Sequence, residues 1–509
     1  MGYRKLQFNL PTDYQPGDCK SVIQKKTGLK DFSYIIEKQS LDARQKNNIH
    51  WQVGVVVSSD HIGGEHYEEP ASIEIPYKKR NKKVIVVGSG PAGFFAAHVL
   101  QLAGFHVKII ERGSNVTKRS GAIKKLESKG IFSEQNNYAF GEGGAGTFSD
   151  GKLTSRSKHI SKERNFTLNE YVKAGAPEEI LYMAHPHLGT DNLKVIVENL
   201  RAQFHNNGGE ILFETRLEDI SLKAGKVDKI ICNTGELEAD YFILATGHSA
   251  YDTYRMLIKR GIHFRTKNFA IGHRIEHEQR LINMAQWGRE SLPGVKAAEY
   301  RLTTRSNSDL PVFTFCMCPG GSIVQSAAFE NKSVVNGMSY YKRDGNFANS
   351  ACVVGIHPDA LLGKTCSPME ILDWMDHLEE QFYALNNGYE IPANKVADYV
   401  KRKSSNGIPA GSYALGAQAA PLFDLVPSII SNALIEGLAD FSRKLKGFGQ
   451  GTFMGLENKT SSPVQAIREK DGRCSGIDNL YFAGEGSGYS GGILSSAADG
   501  IKCAMSINI

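Results

Sequence analysis

The chain has 509 residues, of which 41% are hydrophobic and 22% are charged, and its formal net charge is +6. A chain of this length is expected to form two or three domains around a sizeable core. The small positive charge favours an ordinary solvated surface over a nucleic-acid groove, and no apolar stretch is long enough to span a bilayer. The N-terminus lacks a hydrophobic signal core, so we expect a cytoplasmic protein without a membrane partner, and the small net charge makes a nucleic-acid partner the disfavoured alternative.

The cysteine pattern gives no sign of a metal site. None of the eight cysteines forms a C-x-x-C pair. Together with the expected cytoplasmic address, this spacing argues against a disulfide framework, a zinc site and an iron–sulfur cluster. We therefore predict that no metal is bound.

The first 82 residues predict a small α+β domain. Strands are expected at KLQFNL, HWQVGVVV and ASIEIPY, and helices at DCKSVIQKKTG and FSYIIEKQSLDARQKN. The basic run YKKRNKK, residues 77–83, then favours a solvated linker, with a nucleic-acid patch as the alternative.

The segment KVIVVGSGPAGFFAAHVLQLAGFHVKIIERG predicts a dinucleotide-binding βαβ unit. Gly88 allows the tight turn after the first strand, Gly90 lets a pyrophosphate approach the backbone, and Gly93 lets the helix pack on the strand. The free N–H groups and the dipole of that helix favour phosphate binding. The predicted cofactor contacts in this loop are Gly88, Ser89, Gly90, Pro91, Ala92 and Gly93.

The second strand of this unit ends at Glu111, 23 residues after Gly88 (111 − 88). That separation is close to the roughly 20 residues expected for a ribose-binding carboxylate. An acidic residue at this position favours a free ribose diol, so the ligand is FAD or NAD rather than NADP.

Three further motifs favour FAD by resemblance. ERG after the second strand, ADYFILATG and NLYFAGEGSG resemble motifs of FAD enzymes in the glutathione-reductase-like superfamily. One βαβ unit can hold only the ADP half of this long cofactor, and the resemblance implies that the C-terminal loop binds the other half, with Glu485 on the ribityl chain. It implies FAD contacts at Arg112, Ala245, Thr246, Gly247, Gly484, Glu485, Gly492 and Ile493, with Arg216 and Leu217 beside the adenine.

Most of the chain also resembles a family of largely uncharacterised bacterial FAD-dependent dehydrogenases. This resemblance rests on FGEGGAGTFSDGKLTSR, PHLGTDNL, ATGHSAYDT, FAIGHRIEH, FCMCPGGSIV and GLENKTSSPV. It places the first of these segments beside the pyrophosphate and flavin, whereas a mobile surface loop is the alternative. The implied contacts in that segment are Gly143, Gly144, Ala145, Gly146, Asp150 and Lys152.

These patterns predict an α/β fold with α+β parts. A Rossmann-like FAD-binding domain of residues 83–262 and 456–509 is interrupted by a mixed α+β substrate domain of residues 263–455. The small α+β domain of residues 1–82 precedes both.

Few residues stand out as catalytic candidates. Cys316 and Cys318 share one face of a predicted strand, either as redox or substrate-contacting thiols or as small core residues. Arg274 could clamp a substrate carboxylate and His273 could act as an acid or base, with ion pairing as the alternative. His248, directly after the A-T-G motif, is expected beside the cofactor or at the cap of the strand end.

The leading hypothesis is an FAD-dependent oxidoreductase, a dehydrogenase or reductase, that acts on a small molecule between the FAD domain and residues 263–455. NAD(P)H could serve as a transient reductant without a domain of its own. Two alternatives stay open. One is a flavoprotein acting on RNA or on a protein docked by the N-terminal domain, and the other is a non-catalytic FAD-binding protein.

Overall fold

The computed structural model describes residues 2–155, 157–386 and 388–507. At its N-terminus, an antiparallel sheet has the strand order Gly2–Leu10, His50–Ser59, Ser33–Asp42. The helix Pro16–Thr27 follows the first strand and contributes to the same core.

Two predictions for this domain are wrong. Residues 32–47 contain a strand, Ser33–Asp42, rather than a helix, and residues 71–77 form no strand. The first difference arises because the segment pairs with His50–Ser59 along nearly its whole length. Tertiary pairing of this kind overrides the helix formers in the second half of the segment.

A five-stranded parallel sheet carries the glycine motifs. Its strands are short, largely buried apolar runs, as expected for a sheet covered on both faces. From the strand Lys83–Val87, the chain adds neighbours in both directions, which opens a crevice at the carboxyl ends of the strands. In spatial order the strands are Leu480–Phe482, Tyr241–Leu244, Lys83–Val87, His106–Ile110 and Glu210–Leu212.

Alternate side chains of the strand Lys83–Val87 enter two different cores. Val84 and Val86 pack against helices on one face, whereas Ile85 and Val87 pack against a β-meander on the other. The helices of the first face are Pro91–Leu102, Ser161–Lys173, Gly189–Asn206 and Ile493–Met505. The meander strands are Leu217–Lys223, Lys226–Cys232 and Gly235–Leu237, and the helix Tyr251–Lys259 lies on the same side. A further helix, Val116–Lys129, leads from this sheet toward the glycine-rich segment around residue 141.

Residues 269–457 form a seven-stranded, mainly antiparallel sheet with its own aromatic core. In spatial order its strands are Thr303–Arg305, Pro311–Cys318, Phe347–Ile356, Phe269–Glu278, Thr452–Glu457, Ile391–Lys395 and Ala417–Ala419. Its helices are Gln279–Trp287, Pro358–Leu362, Pro368–Ala384, Val396–Tyr399, Leu422–Leu425 and Ser428–Lys444. Two small sheets pair Phe264–Thr266 with Val464–Ala466 and Gly321–Gln325 with Val335–Ser339.

The predicted fold class, an α/β fold with α+β parts, is confirmed. The basic run of residues 77–83 lies along the end of the helix Pro91–Leu102, where the Lys78 and Arg80 N–H groups donate to the carbonyls of Ala103 and Gly104 at 3.2 and 2.9 Å. Across the described ranges, no helix is both long enough and apolar enough to cross a membrane.

Candidate FAD site

Three loops meet at the carboxyl edge of the parallel sheet. They follow the strands Lys83–Val87, Tyr241–Leu244 and Leu480–Phe482. A Cβ atom added at Gly88 would lie 2.4 Å from the carbonyl oxygen of Ala245, and one at Gly486 would lie 2.9 Å from the carbonyl oxygen of Gly247. The N-terminal and C-terminal glycine motifs therefore form one continuous backbone surface with the A-T-G segment, Ala245 to Gly247, between them.

Two helices begin at this edge with glycine at the cap. Gly90 precedes the helix Pro91–Leu102 and Gly492 precedes the helix Ile493–Met505, and no described side chain caps either N-terminus. Their first N–H groups are therefore available to an anionic ligand, which both helix dipoles also favour. The predicted contacts Ser89, Pro91, Ala92, Gly484 and Ile493 lie within or beside these two starts.

The Glu111 carboxylate links two of the glycine loops. Its Oε2 accepts hydrogen bonds from the N–H and Oγ of Ser89 at 3.0 and 2.8 Å. Its Oε1 accepts from the N–H groups of Gly113 and Gly141 at 2.9 and 3.1 Å. A carboxylate has about four acceptor positions, so protein donors already use the group that the sequence assigns to a ribose. The ribose contact stays a prediction, and loop clamping is what the geometry shows.

Arg119 shapes the glycine loop of residues 141–146, and sequence reasoning missed it. Its fully buried guanidinium donates hydrogen bonds to main-chain carbonyls along the loop and just before it. The acceptors are Asn137, Tyr138, Gly141, Glu142 and Gly144. Burial lowers the pKa of Arg119 to about 10, which keeps it charged at neutral pH. The loop thus packs on the first motif, since a Cβ at Gly144 would lie 3.0 Å from the Gly90 Cα.

The segment after this loop reaches the seven-stranded sheet domain through a buried ion pair and a partly exposed one beside it. Arg343 Nε donates to Asp150 Oδ1 at 2.9 Å, and Lys152 Nζ lies 3.0 Å from Asp150 Oδ2 and 3.3 Å from Glu299 Oε2. Although burial opposes ionisation, Lys152 and Arg343 hold the pKa of the Asp150 carboxyl well below its usual range. Sequence reasoning missed Arg343 and Glu299, which lie far from any recognisable motif.

Orphaned polar atoms lie at both ends of this surface. His248 Nδ1 is 3.6 Å from Glu485 Oε2, while its buried Nε2 has no hydrogen-bond partner among the described residues. The Arg112 guanidinium stacks on Phe140 at 3.9 Å and binds Asp252 through Nη1, but its Nε and Nη2 are likewise unpartnered within the described chain. Buried polar groups normally have partners, so these atoms indicate a polar ligand that spans the edge.

The predicted adenine contacts are less enclosed. Arg216 forms a 2.7 Å ion pair with Glu218 at the surface. Leu217 is buried at the start of the meander. Thr215, the residue before Arg216, donates its N–H to the Glu111 carbonyl at 2.9 Å. Arg216 and Leu217 therefore lie beside the second strand of the predicted βαβ unit.

His273 lies in an aromatic core rather than beside the glycine loops. It is fully buried, its Nδ1 pairs with the Gly455 carbonyl at 2.8 Å, and its ring packs against Phe382, Tyr399 and Phe453. Burial lowers the pKa of His273 to about 4. This position gives no support to the predicted acid–base role.

The Arg274 guanidinium is also committed within the protein. It is fully buried, pairs with Glu457 Oε2 at 3.0 Å and donates to Asn336 and Asn349. Its Nη2 donates to the Cys316 carbonyl at 2.7 Å. The predicted clamp on a substrate carboxylate is therefore not supported, because Arg274 instead holds the strand end that carries Cys316.

The buried His273 predicts loss of stability in acid. Its folded-state pKa is about 4 against about 6.5 unfolded, so the unfolded chain takes up a proton first as pH falls. The stability is intact above pH 6.5, and about 2 kcal/mol of it should be gone by pH 5. His273→Asn keeps a donor toward Gly455 without titrating, so its urea midpoint should fall less than that of the wild type between pH 7 and pH 5. Equal falls for both proteins would contradict this, and the exposed His66→Asn serves as the control.

Comparison with known proteins agrees with this geometry. Residues 82–254 match the family described as "Pyridine nucleotide-disulphide oxidoreductase", and residues 268–460 match "FAD-dependent protein, C-terminal domain-like". A protein of Clostridium beijerinckii, described as "Uncharacterized protein", is 39% identical over 100% of this chain and 98% of its own length.

Among solved structures, the similarities are distant. A geranylgeranyl bacteriochlorophyll reductase-like protein from Thermoplasma acidophilum is 12% identical, with 83% of this chain and 77% of that chain covered and a TM-score of 0.36. L-proline dehydrogenase from P. horikoshii is 11% identical, with 85% and 94% covered and a TM-score of 0.32.

Proposed function

The chain belongs to the same family as the Clostridium beijerinckii protein, a family of FAD-dependent oxidoreductases, and from that premise we propose that it moves electrons between FAD and a small-molecule substrate bound against residues 269–457. The observation that carries the proposal is the buried ion pair of Asp150 with Arg343, together with the partly exposed pair of Lys152 with Glu299 beside it. This contact brings the loop predicted to lie beside the flavin against the second domain, so a substrate held there would meet the cofactor.

The residues present fit FAD. The two uncapped helix starts at Gly90 and Gly492 suit the pyrophosphate, and the orphaned nitrogens of Arg112 offer donors to the rest of the cofactor. Bound there, FAD supplies two-electron chemistry at its ring, and the protein contributes binding, orientation and electrostatics.

His248 is the side chain best placed to hold a proton near the substrate. It follows the A-T-G segment, its Nδ1 faces the Glu485 carboxylate at 3.6 Å, and its Nε2 is left without a described partner. An imidazole with one nitrogen oriented by a carboxylate can hold or release a proton at the other nitrogen. We assign that role to Nε2 of His248.

The direction of electron flow and the partner are tested by anaerobic titration. Purified protein should be yellow, and one member of a panel that contains NADH, NADPH and common metabolites should bleach the flavin band at about 450 nm. Bleaching by NADPH or NADH would identify a reductase, and bleaching by a metabolite a dehydrogenase. A colourless protein that takes up no FAD on reconstitution would overturn the proposal.

Glu485→Leu should weaken FAD retention although the first glycine motif is untouched. The substitution removes a partly buried carboxylate that faces His248 at the end of the strand Leu480–Phe482, and a leucine there offers no acceptor to a cofactor hydroxyl. We expect at least about a tenfold loss in FAD affinity, equivalent to one charge-assisted hydrogen bond. Flavin content after gel filtration measures it, with the exposed Glu469→Leu as the matched control. Wild-type occupancy in Glu485→Leu would count against one FAD shared by both loops.

A further inference from the structure

The strand Pro311–Cys318 loses its regular alternation at the end that carries two thiols. Cys316 has a φ of +45°, and the pairing with the strand Phe347–Ile356 shifts register between Phe315 and Cys318. As a result Met317 and Cys318, which are consecutive, are both buried. The sequence predicts Cys316 and Cys318 on one face of a regular strand, and the irregular backbone corrects that prediction.

The distortion brings the two thiols together. The Cys318 Sγ lies 3.4 Å from the Cys316 carbonyl oxygen, and the two side chains are hydrogen-bonded to each other. Residues two apart on an extended strand have Cα atoms near the upper limit for a disulfide. The contact of the Cys318 Sγ with the Cys316 carbonyl turns the Cys318 side chain back toward Cys316, which is the direction that a disulfide between them needs.

The surroundings of the pair shift the pKa values of the two thiols in opposite directions. The hydrogen bond from Cys318 and the nearby charges of Arg274 and Lys152 lower the pKa of the Cys316 thiol, against the opposing effects of burial and of Asp150. The hydrogen bond to Cys316, together with burial, raises the pKa of the Cys318 thiol, although Arg274, whose Nη2 donates to the Cys318 Sγ at 3.4 Å, opposes that rise. Arg274 is anchored in turn by Glu457, so its charge stays fixed beside the pair. A thiolate is the attacking form of cysteine, which makes Cys316 the first to react.

The two cysteines also differ in solvent exposure, and this difference likewise favours Cys316 as the first to react. Of the eight cysteines in the chain, Cys316 alone is partly exposed and the other seven are buried. Cys318 has no exposed surface. A small reagent therefore meets Cys316 first, with Cys318 directly behind it.

We propose that Cys316 and Cys318 form a thiol–disulfide redox pair that reacts with small disulfides, with Cys316 attacking and Cys318 resolving. The Cys316 thiolate forms a bond to one sulfur of the disulfide, whose own S–S bond breaks and releases one thiolate. Cys318 then loses its proton and attacks the Cys316 sulfur, which releases the second thiolate. Two protein thiols are oxidised to one disulfide, and one small disulfide is reduced to two thiols that take up two protons. This pair is a redox centre separate from FAD, so the test of the thiol reaction is independent of the test of the proposed flavin reaction.

The test uses the holoprotein equilibrated anaerobically with oxidised glutathione, then denatured, alkylated and analysed by peptide mass. Wild-type protein should lose two alkylatable thiols and yield a peptide with an internal Cys316–Cys318 disulfide. Cys318→Ser should instead accumulate a glutathione adduct on Cys316, and Cys316→Ser should show no adduct on Cys318. Cys352→Ser, a buried thiol on the neighbouring strand, should behave as the wild type.

A second measurement needs no variant. Brief iodoacetamide treatment of the folded protein should label Cys316 at least about tenfold faster than any other cysteine, as expected for an accessible thiolate. Persistence of all eight alkylatable thiols after equilibration with oxidised glutathione would overturn the proposal. Labelling of Cys316 no faster than that of the buried Cys366 would overturn it equally.

Discussion

Arg119→Met is expected to strip FAD from the protein and to lower its free energy of unfolding by about 3–5 kcal/mol. The guanidinium supplies five hydrogen bonds to main-chain carbonyls, and among the described residues it is the only donor to those of Asn137 and Tyr138. Each buried acceptor left without a donor costs about 1 kcal/mol or more. The loop of residues 141–146 would lose its shape, and Gly144 would no longer lie against Gly90.

The matched control is Lys118→Met, one position earlier on the same helix. Lys118 is largely exposed, and within the described part of the chain its Nζ pairs with Glu214 alone, at 3.3 Å, so this variant should keep its FAD and its stability within about 0.5 kcal/mol. Arg119→Lys keeps the charge but presents a single ammonium in place of a planar fork, and should fall between the two. Flavin absorbance and urea unfolding measure all three. An Arg119→Met protein with full FAD content and wild-type stability would show that the loop does not depend on this residue.

The importance of Arg119 could have been inferred from one local signal. The buried positions of the helix Val116–Lys129 are Val116, Arg119, Ile123 and Leu126, a spacing that forms one face of a helix. A charged residue on an apolar stripe predicts a buried set of partners. The identity of those partners, carbonyls 18 to 25 residues further along, could not be predicted, because it depends on how the loop folds back.

The glycine motifs, in contrast, could be predicted because they depend on local geometry rather than on how distant segments fold together. The turn at Gly88, the helix start at Gly90 and the strand ending at Glu111 are all set by local backbone geometry within one βαβ unit. The juxtaposition of Gly486 with Gly247 was reached only through resemblance, since nothing local joins two segments that far apart. His273 and Arg274 show the limit of motif reasoning, because their types suggest chemistry and only the packing shows that both are committed to the interior.

Gly93→Ala is expected to lower stability by about 2–3 kcal/mol and FAD affinity by at least about tenfold, as overpacking at a backbone contact should. A Cβ at this position would lie 1.9 Å from the Gly88 carbonyl oxygen and 3.3 Å from the Ala245 Cβ. The helix Pro91–Leu102 cannot retreat to make room, because a Cβ at Gly500 on the crossing helix would already lie 2.0 Å from the Ala92 carbonyl oxygen. The helix start at Gly90 must therefore shift, and its N–H groups move with it.

The control is the same substitution in a helix that has space. A Cβ at Gly121, an exposed position in the helix Val116–Lys129, would meet nothing within 4 Å. There alanine should stabilise the protein by up to about 1 kcal/mol through its better helix propensity. Urea unfolding and flavin content measure both variants. A loss of stability in Gly93→Ala together with a gain in Gly121→Ala would show that close packing, rather than helix propensity, determines the effect at Gly93. If Gly93→Ala also proved neutral or stabilising, the helix start would not be wedged between the strand and the helix Ile493–Met505, and the contact that shapes the pyrophosphate end of the site would have to lie elsewhere.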